Sequence, residues 1–271
     1  MDRHRRLDDP YSTLPSSARH VRGRRAGMVA FPGPGVGVAA FTLMFAVLAA
    51  AVQVGGTERF DVAVVEWFAY QRTPLLDEVM LEVTTLGNGL IVTTLAIVAG
   101  AFLWLAGHRW SVYLLLVAVI GGQMVNSMLK TLFGRPRPDM IEGLDPVRTL
   151  SFPSGHAMSA IIAWGGLALV LSRMESGPAM RRTTWGLAAL VILGIGVSRI
   201  YLGVHYPSDV LAGYAGGLAW LAAAAAIERV LRARNDPSRH GFAPDRGAGS
   251  AHDRDTDARA AGQDAGRRRR H

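Results

Sequence analysis

Six stretches of this 271-residue chain contain no charged residue: 36–54, 90–106, 111–129, 157–172, 184–197 and 210–227. A soluble core would scatter its apolar residues over many short amphipathic elements. These are gathered into runs close to the roughly 20 residues that a helix needs to cross about 30 Å of hydrocarbon. Half of the residues are hydrophobic and only 18% are charged, which places the chain in the same class. The expected fold class is all-α: a polytopic membrane protein with six transmembrane helices in a bundle. The first stretch ends in small alanines, as a secretory signal does. It is longer than the usual signal core of about 7–15 residues and is read as a retained helix.

The segments between these runs differ in character. Residues 1–30 are rich in arginine and read as a disordered basic tail, closed by Gly33, Pro34 and Gly35. The membrane domain is assigned to 31–230. The polar stretch that opens at Glu228 leads into a tail, 231–271, of Arg, Asp, Gly and Ala with too little apolar surface to fold. Within 57–85, Phe60, Val64, Trp67 and Phe68, then Leu75, Leu76, Val79 and Met80, recur at spacings of three and four. That pattern predicts interfacial helices on the outer side, with Trp67 and Tyr70 at headgroup level. Gln123, Asn126 and Ser127 near the end of the third run are expected to bond to neighbouring helices or to line a polar cavity.

Charge sets the orientation. Six spans put both termini on one side, and the arginine-rich tails place that side in the cytoplasm of a cell membrane. The net charge of +8 is thus read as orientation rather than nucleic-acid binding. The absence of cysteine excludes disulfides and thiolate metal sites. The connections at 107–110 and 173–182 then fall inside and are basic, as the rule requires. Lys130, Arg135, Arg137, Arg148 and Arg199 fall outside, against the rule. Charges kept where topology disfavours them imply an anionic ligand. Of eight histidines, only His156 and His205 fall in outer loops of the membrane domain, each at the mouth of a span. Lys130 is the one lysine among 29 basic residues, as if that position favoured a compact ammonium over a guanidinium.

Three polar blocks therefore share the outer face: Lys130 to Pro138, Pro153 to His156, and Ser198 to Asp209. Asp209 lies four residues after His205, in reach of one imidazole nitrogen. A carboxylate there fixes the tautomer and leaves the other nitrogen's lone pair outward as a nucleophile or base. Ser154 and Gly155 precede an apolar helix, where backbone N–H groups and a hydroxyl can cradle an anion. An anionic-lipid transporter would explain the arginines. It would not explain two histidines with an aspartate beside one of them.

The spacing of these blocks resembles the type 2 phosphatidic acid phosphatase superfamily. That family's signature is a lysine, six residues, then Arg-Pro; Pro-Ser-Gly-His; and Ser-Arg, five residues, His, three residues, Asp. All three parts occur here in order across 130–209. The resemblance implies that His205 attacks phosphorus, Asp209 orients it, and His156 protonates the leaving oxygen and then activates water. It assigns phosphate binding to Lys130, Arg137, Ser154, Gly155 and Arg199, with no metal and no cofactor. Arg135 falls outside the signature spacing and is read as a headgroup contact; Asp139, Glu142 and Asp145 are read as solvated loop residues. The implied partners are membrane lipids and a lipid phosphate of the undecaprenyl pyrophosphate, phosphatidate or phosphatidylglycerophosphate class. Action on a soluble ester, or transfer of the phosphoryl group to an alcohol, remains an alternative. Oligomeric state is not legible.

Overall fold

In the computed structural model, residues 34–138 and 150–235 are described, and every regular element among them is a helix. In chain order these are α1 (Pro34–Gln53), α2 (Glu58–Tyr70), α3 (Pro74–Thr85), α4 (Gly89–Leu105) and α5 (Arg109–Phe133). They are followed by α6 (Gly155–Met174), α7 (Pro178–Tyr201) and α8 (Pro207–Arg234). Helices α1, α5, α6, α7 and α8 are long and apolar enough to cross a bilayer; α3 and α4, bent by 47° at the break between them, pass the same test as a pair.

Local chemistry sets several of the ends. Pro74, Pro178 and Pro207 open their helices at the first turn, where the missing N–H would have no intrahelical partner anyway. The Thr73 hydroxyl accepts from the Leu76 N–H at 3.3 Å, and Asn88 Oδ1 accepts from the Leu90 N–H at 2.9 Å. Those caps start α3 and α4 separately and account for the bend between them.

The core lies between α4, α5, α6 and α8, where Ala118, Met158, Ile162 and Leu221 are buried together. A second cluster joins α6 to α7 through Ala160, Ile161, Ala188 and Ile195. Trp220 and Trp164 donate their indole N–H groups to the carbonyls of Ala118 and Leu86. In its middle α6 widens into a π turn over Ile161–Gly165. By contrast Leu43, Leu90, Leu105, Met124 and Leu190 point outward and stay exposed. So much outward apolar surface suits lipid as the surrounding solvent.

The spans run past the ends expected from charge. The fourth, fifth and sixth runs become helices of 20, 24 and 28 residues. Glu228, where the polar stretch was expected to open, is buried within α8 instead. Arg173 donates to its two oxygens at 3.0 and 2.9 Å and Arg232 contacts it at 2.5 Å, so the carboxylate is neutralised inside the helix. Over the stretch expected to hold interfacial helices the chain forms α2 and α3, and α3 passes the span test jointly with α4. Apart from residues 231–235, both expected tails lie outside the described residues, as do Asp139, Glu142, Asp145 and Arg148.

Where α8 meets the start of α6, a Cβ at Gly213 would come within 2.6 Å of the Ser154 carbonyl and 3.0 Å of Ala157 Cβ. The Gly213→Ala variant should lose about 1–3 kcal/mol through overpacking, read as a lower unfolding midpoint in detergent. Gly186→Ala, which would meet nothing within 4 Å, should hold its midpoint.

Candidate active site

The three polar blocks meet at one end of the bundle, where α5 stops, α6 starts, and α7 turns into α8. Lys130 sits in the last turn of α5, not in a loop. Gly134, at φ 62°, ends that helix in a left-handed turn that most side chains avoid. The turn redirects the chain so that Arg135 and Arg137 reach across to the α7–α8 connection. Lys130 Nζ donates to the Leu150 carbonyl, and Arg137 Nη2 donates to the same oxygen at 3.4 Å. Two cations sharing one acceptor repel each other, and an anion bound beside them would relieve that repulsion.

The spacing from Arg199 to His205 has a structural cause. Gly203, at φ 71°, reverses the chain after α7. The N–H groups of Val204 and His205 then donate back to the Arg199 carbonyl at 3.2 and 3.3 Å. Arg199 itself is fully buried, with Nη1 donating to Thr84 Oγ1 at 2.8 Å. His205 is 1% exposed. On one side, Arg137 Nη1 stands 3.2 Å from its Nε2. On the other, Nδ1 lies 3.3 Å from Ser151 Oγ and 3.5 Å from Asp209 Oδ2. A guanidinium only donates, so Nε2 carries the lone pair and Nδ1 carries the proton. Burial, with Arg137 and Arg199 nearby and only partly offset by Asp209, lowers the His205 pKa to about 3. The imidazole is therefore neutral, with its Nε2 lone pair available for attack.

Asp209 is buried at the third position of α8. Its Oδ2 accepts from Ser151 Oγ at 2.5 Å and from the Tyr206 N–H at 2.9 Å. Its Oδ1 accepts from Arg135 Nη1 at 2.7 Å. His156 is half-buried in the first turn of α6 and interacts electrostatically with Arg199, His205, Arg137 and Lys130. All three sequence blocks thus bear on one small volume. Lys130, Arg137, Gly155 and His156 form its more exposed side, while Arg199, His205 and Asp209 form its buried floor.

Two expectations change. Ser154 caps α6, its hydroxyl accepting from the Ala157 N–H at 3.5 Å, while its own N–H donates to the Asp209 carbonyl at 3.0 Å. Its backbone is therefore committed to joining α6 to α8, and the neighbouring Gly155 N–H is the better anion donor. Arg135 is not a headgroup contact. It donates to Asp209, to Ser208 Oγ at 2.8 Å and to Asp61 Oδ2 at 2.9 Å, with its guanidinium 4.3 Å from the Tyr206 ring centre. Burial opposes the charge on Arg135, but Asp209 and Asp61 outweigh it and hold the pKa above its usual value.

Sequence reasoning missed Asp61, Ser151 and Thr84. Asp61 had one usable signal: it shares the buried face of α2 with Val65, at a spacing where an amphipathic helix should present apolar residues.

Comparison with known proteins points the same way as the geometry. The PAP2 superfamily model matches residues 110–232. Phosphatidylglycerophosphatase B of Bacillus subtilis is 32% identical over 177 residues, covering 65% of this chain and 87% of that one. Decaprenylphosphoryl-5-phosphoribose phosphatase of Mycobacterium tuberculosis is 39% identical over 93 residues, covering 33% and 46%. The crystal structure of the transmembrane PAP2 type phosphatidylglycerolphosphate phosphatase from Bacillus subtilis superposes with a TM-score of 0.67 at 29% identity, covering 72% of this chain and 96% of that one.

The state of His205 predicts an acid-side effect on stability. The folded imidazole stays neutral to about 3, while the unfolded one protonates near 6.5. As pH falls, the unfolded state takes up the proton first. His205 thus costs nothing above about 6.5 and subtracts stability progressively between 6.5 and 3. The His205→Asn variant should show a shallower fall of unfolding midpoint over that window than wild type, measured at matched ionic strength.

Proposed function

Because this chain belongs to the PAP2 superfamily, we propose that its three polar blocks hydrolyse a lipid phosphate through a phosphohistidine on His205. That it is a multi-pass membrane phosphatase follows from its relatives and its apolar helices. The observation that carries the mechanism is the His205 environment: a buried, neutral imidazole with Nδ1 turned toward Asp209 and Nε2 toward Arg137.

The Nε2 lone pair attacks phosphorus in line with the ester or anhydride oxygen. The phosphorus–oxygen bond breaks, its electron pair stays on the departing oxygen, and His156 protonates that oxygen. In the second half-reaction His156 takes a proton from water. The water oxygen attacks phosphorus, and the phosphorus–nitrogen bond returns its electrons to Nε2. The products are inorganic phosphate and a lipid alcohol, or a lipid monophosphate where the substrate is a pyrophosphate. Lys130, Arg137, Arg199 and the Gly155 N–H are assigned to the phosphoryl oxygens, where charge redistributes in the transition state. Ser154 supports them by fixing the start of α6.

The substrate class follows from embedding. The exposed apolar flanks of the bundle suit a lipid whose chain stays in the membrane while its phosphate enters the cationic end. The relatives' names point to glycerophospholipid and polyprenyl headgroups. Counting α3–α4 as one bent span gives an even number of spans, and the basic connections after α4 and α6 support a cytoplasmic side for both termini in the cell membrane. On that reading the active site faces outward, with α2 at its rim. That placement suits recycling of a polyprenyl carrier.

Two experiments test this reading. Purified wild type should release phosphate from at least one of C55 pyrophosphate, phosphatidate and phosphatidylglycerophosphate. His205→Ala should reduce release by about 10³-fold or more, and His156→Ala should accumulate acid-labile phosphoenzyme. Full activity in His205→Ala would overturn the nucleophile assignment; lipid movement between leaflets without phosphate release would favour a transporter. For sidedness, the cysteine-free sequence allows single reporters. Gln71→Cys should react with an impermeant maleimide on intact cells, and His108→Cys only after permeabilisation; the reverse pattern would invert the topology.

A further inference from the structure

We propose that Asp61 is a positioning residue for the reaction, acting through Arg135 and Asp209 on His205; the proposal rests on the reading of His205 as the nucleophile. Asp61 belongs to α2, outside all three signature blocks, and is fully buried. Its Oδ2 accepts from Arg135 Nη2 at 2.9 Å and from Ser208 Oγ at 2.6 Å, and its Oδ1 accepts from the Ser208 N–H at 3.0 Å. It therefore sits at the N-terminus of α8, where the exposed N–H groups favour an anion. The guanidinium of Arg135 spans the gap, one nitrogen on each carboxylate.

Geometry gives this arrangement its first consequence. A carboxylate can rotate and exchange its two oxygens. Arg135 holds Oδ1 of Asp209, so Oδ2 is the oxygen that faces His205 Nδ1. Arg135 is fixed in turn by Asp61 at its other nitrogen and by the Tyr206 ring across its face. A planar fork satisfied on both prongs cannot swing toward the neighbouring phosphate site.

Charge gives the second. When Nε2 bonds to phosphorus, the imidazole keeps its Nδ1 proton and acquires a positive charge. Asp209 and Arg135 alone would cancel, leaving that new charge without a net counter-ion. With Asp61 included, the two carboxylates and one guanidinium on the Nδ1 side of the ring sum to one net negative charge, opposite Arg137 on the Nε2 side. This excess stabilises the phosphorylated imidazole and the transition state leading to it more than the bound substrate. Removing it should lower kcat and leave KM nearly unchanged.

The test uses full-length protein in detergent micelles with each of the three lipids above, comparing wild type, Asp61→Asn, Asp61→Glu, Asp209→Asn and Asp61→Asn/Asp209→Asn. Asp61→Asn should lower kcat by about 10- to 100-fold, with KM within about twofold. Asp61→Glu should recover part of the loss by restoring the charge. In the Asp209→Asn background, Asp61→Asn should cost less than about threefold more, because its route to His205 is already broken. Retained kcat in Asp61→Asn, or losses that multiply in full and follow a lowered unfolding midpoint, would show Asp61 to be a structural tether only. If His205→Ala is inactive while Asp61→Asn keeps the wild-type kcat, this proposal alone fails. If wild type releases no phosphate from any of the lipids, the underlying reading fails and takes this one with it.

Discussion

The Arg135 guanidinium, held between two fully buried carboxylates, is the interaction on which this end of the bundle depends. Burying one carboxylate without a partner is costly, and burying two side by side more so. Arg135 removes both costs at once and in doing so joins three parts of the chain: α2, the turn after α5 and the start of α8. Two further contacts hold the same junction. The Ser154 N–H donates to the Asp209 carbonyl and ties in α6, and the Arg199 carbonyl receives the backbone of His205 and ties in α7. The polar site is thus the place where most of the spans are fastened together. Asp209 serves His205 and the fold with the same atoms.

This explains how a cationic pocket can sit at the end of apolar helices without disrupting them. Its charges are arranged by depth. Asp61, Asp209 and Arg199 are buried, and each is given a partner: Arg135 for the two carboxylates, Thr84 among the partners of Arg199. Lys130 and Arg137 lie nearer the surface and converge on one backbone carbonyl, which holds them in place without neutralising them. Under the proposed function, a doubly charged phosphoryl group would meet cations that are already positioned, with little reorganisation on binding. On the opposite end of the bundle, Glu228 with Arg173 and Arg232 obeys the same rule of burial only in company.

Much of this was legible in the sequence, and the limits follow from range. The uncharged runs located the spans because lipid demands continuous apolar helix, and the spacing of Lys130, Arg137, His156, Arg199, His205 and Asp209 picked out residues that the fold brings together as a candidate site. Span ends were read short because a charge was taken as the edge of the membrane. Lys130, Arg199 and Glu228 all continue their helices, since each meets a partner from elsewhere in the fold. Arg135 was misread for the same reason. Its partners are Asp61 and Asp209, each 74 positions away, and no local pattern announces a contact over that distance. Asp61 could be suspected only as a carboxylate on the apolar face of a helix.

The bend between α3 and α4 shows how backbone geometry and site chemistry constrain each other. The Asn88 cap starts α4 afresh, so the chain passes Gly87 as turn rather than helix. A Cβ at Gly87 would lie 2.6 Å from Ile195 and 3.3 Å from the ring of His156. The backbone therefore fits against the imidazole assigned to the departing oxygen because the residue there has no side chain. Thr84, one turn earlier, holds Arg199. One break in an otherwise continuous span thus supplies a wall to His156 and an anchor to the buried arginine. A straight helix through 74–105 would deny the site both.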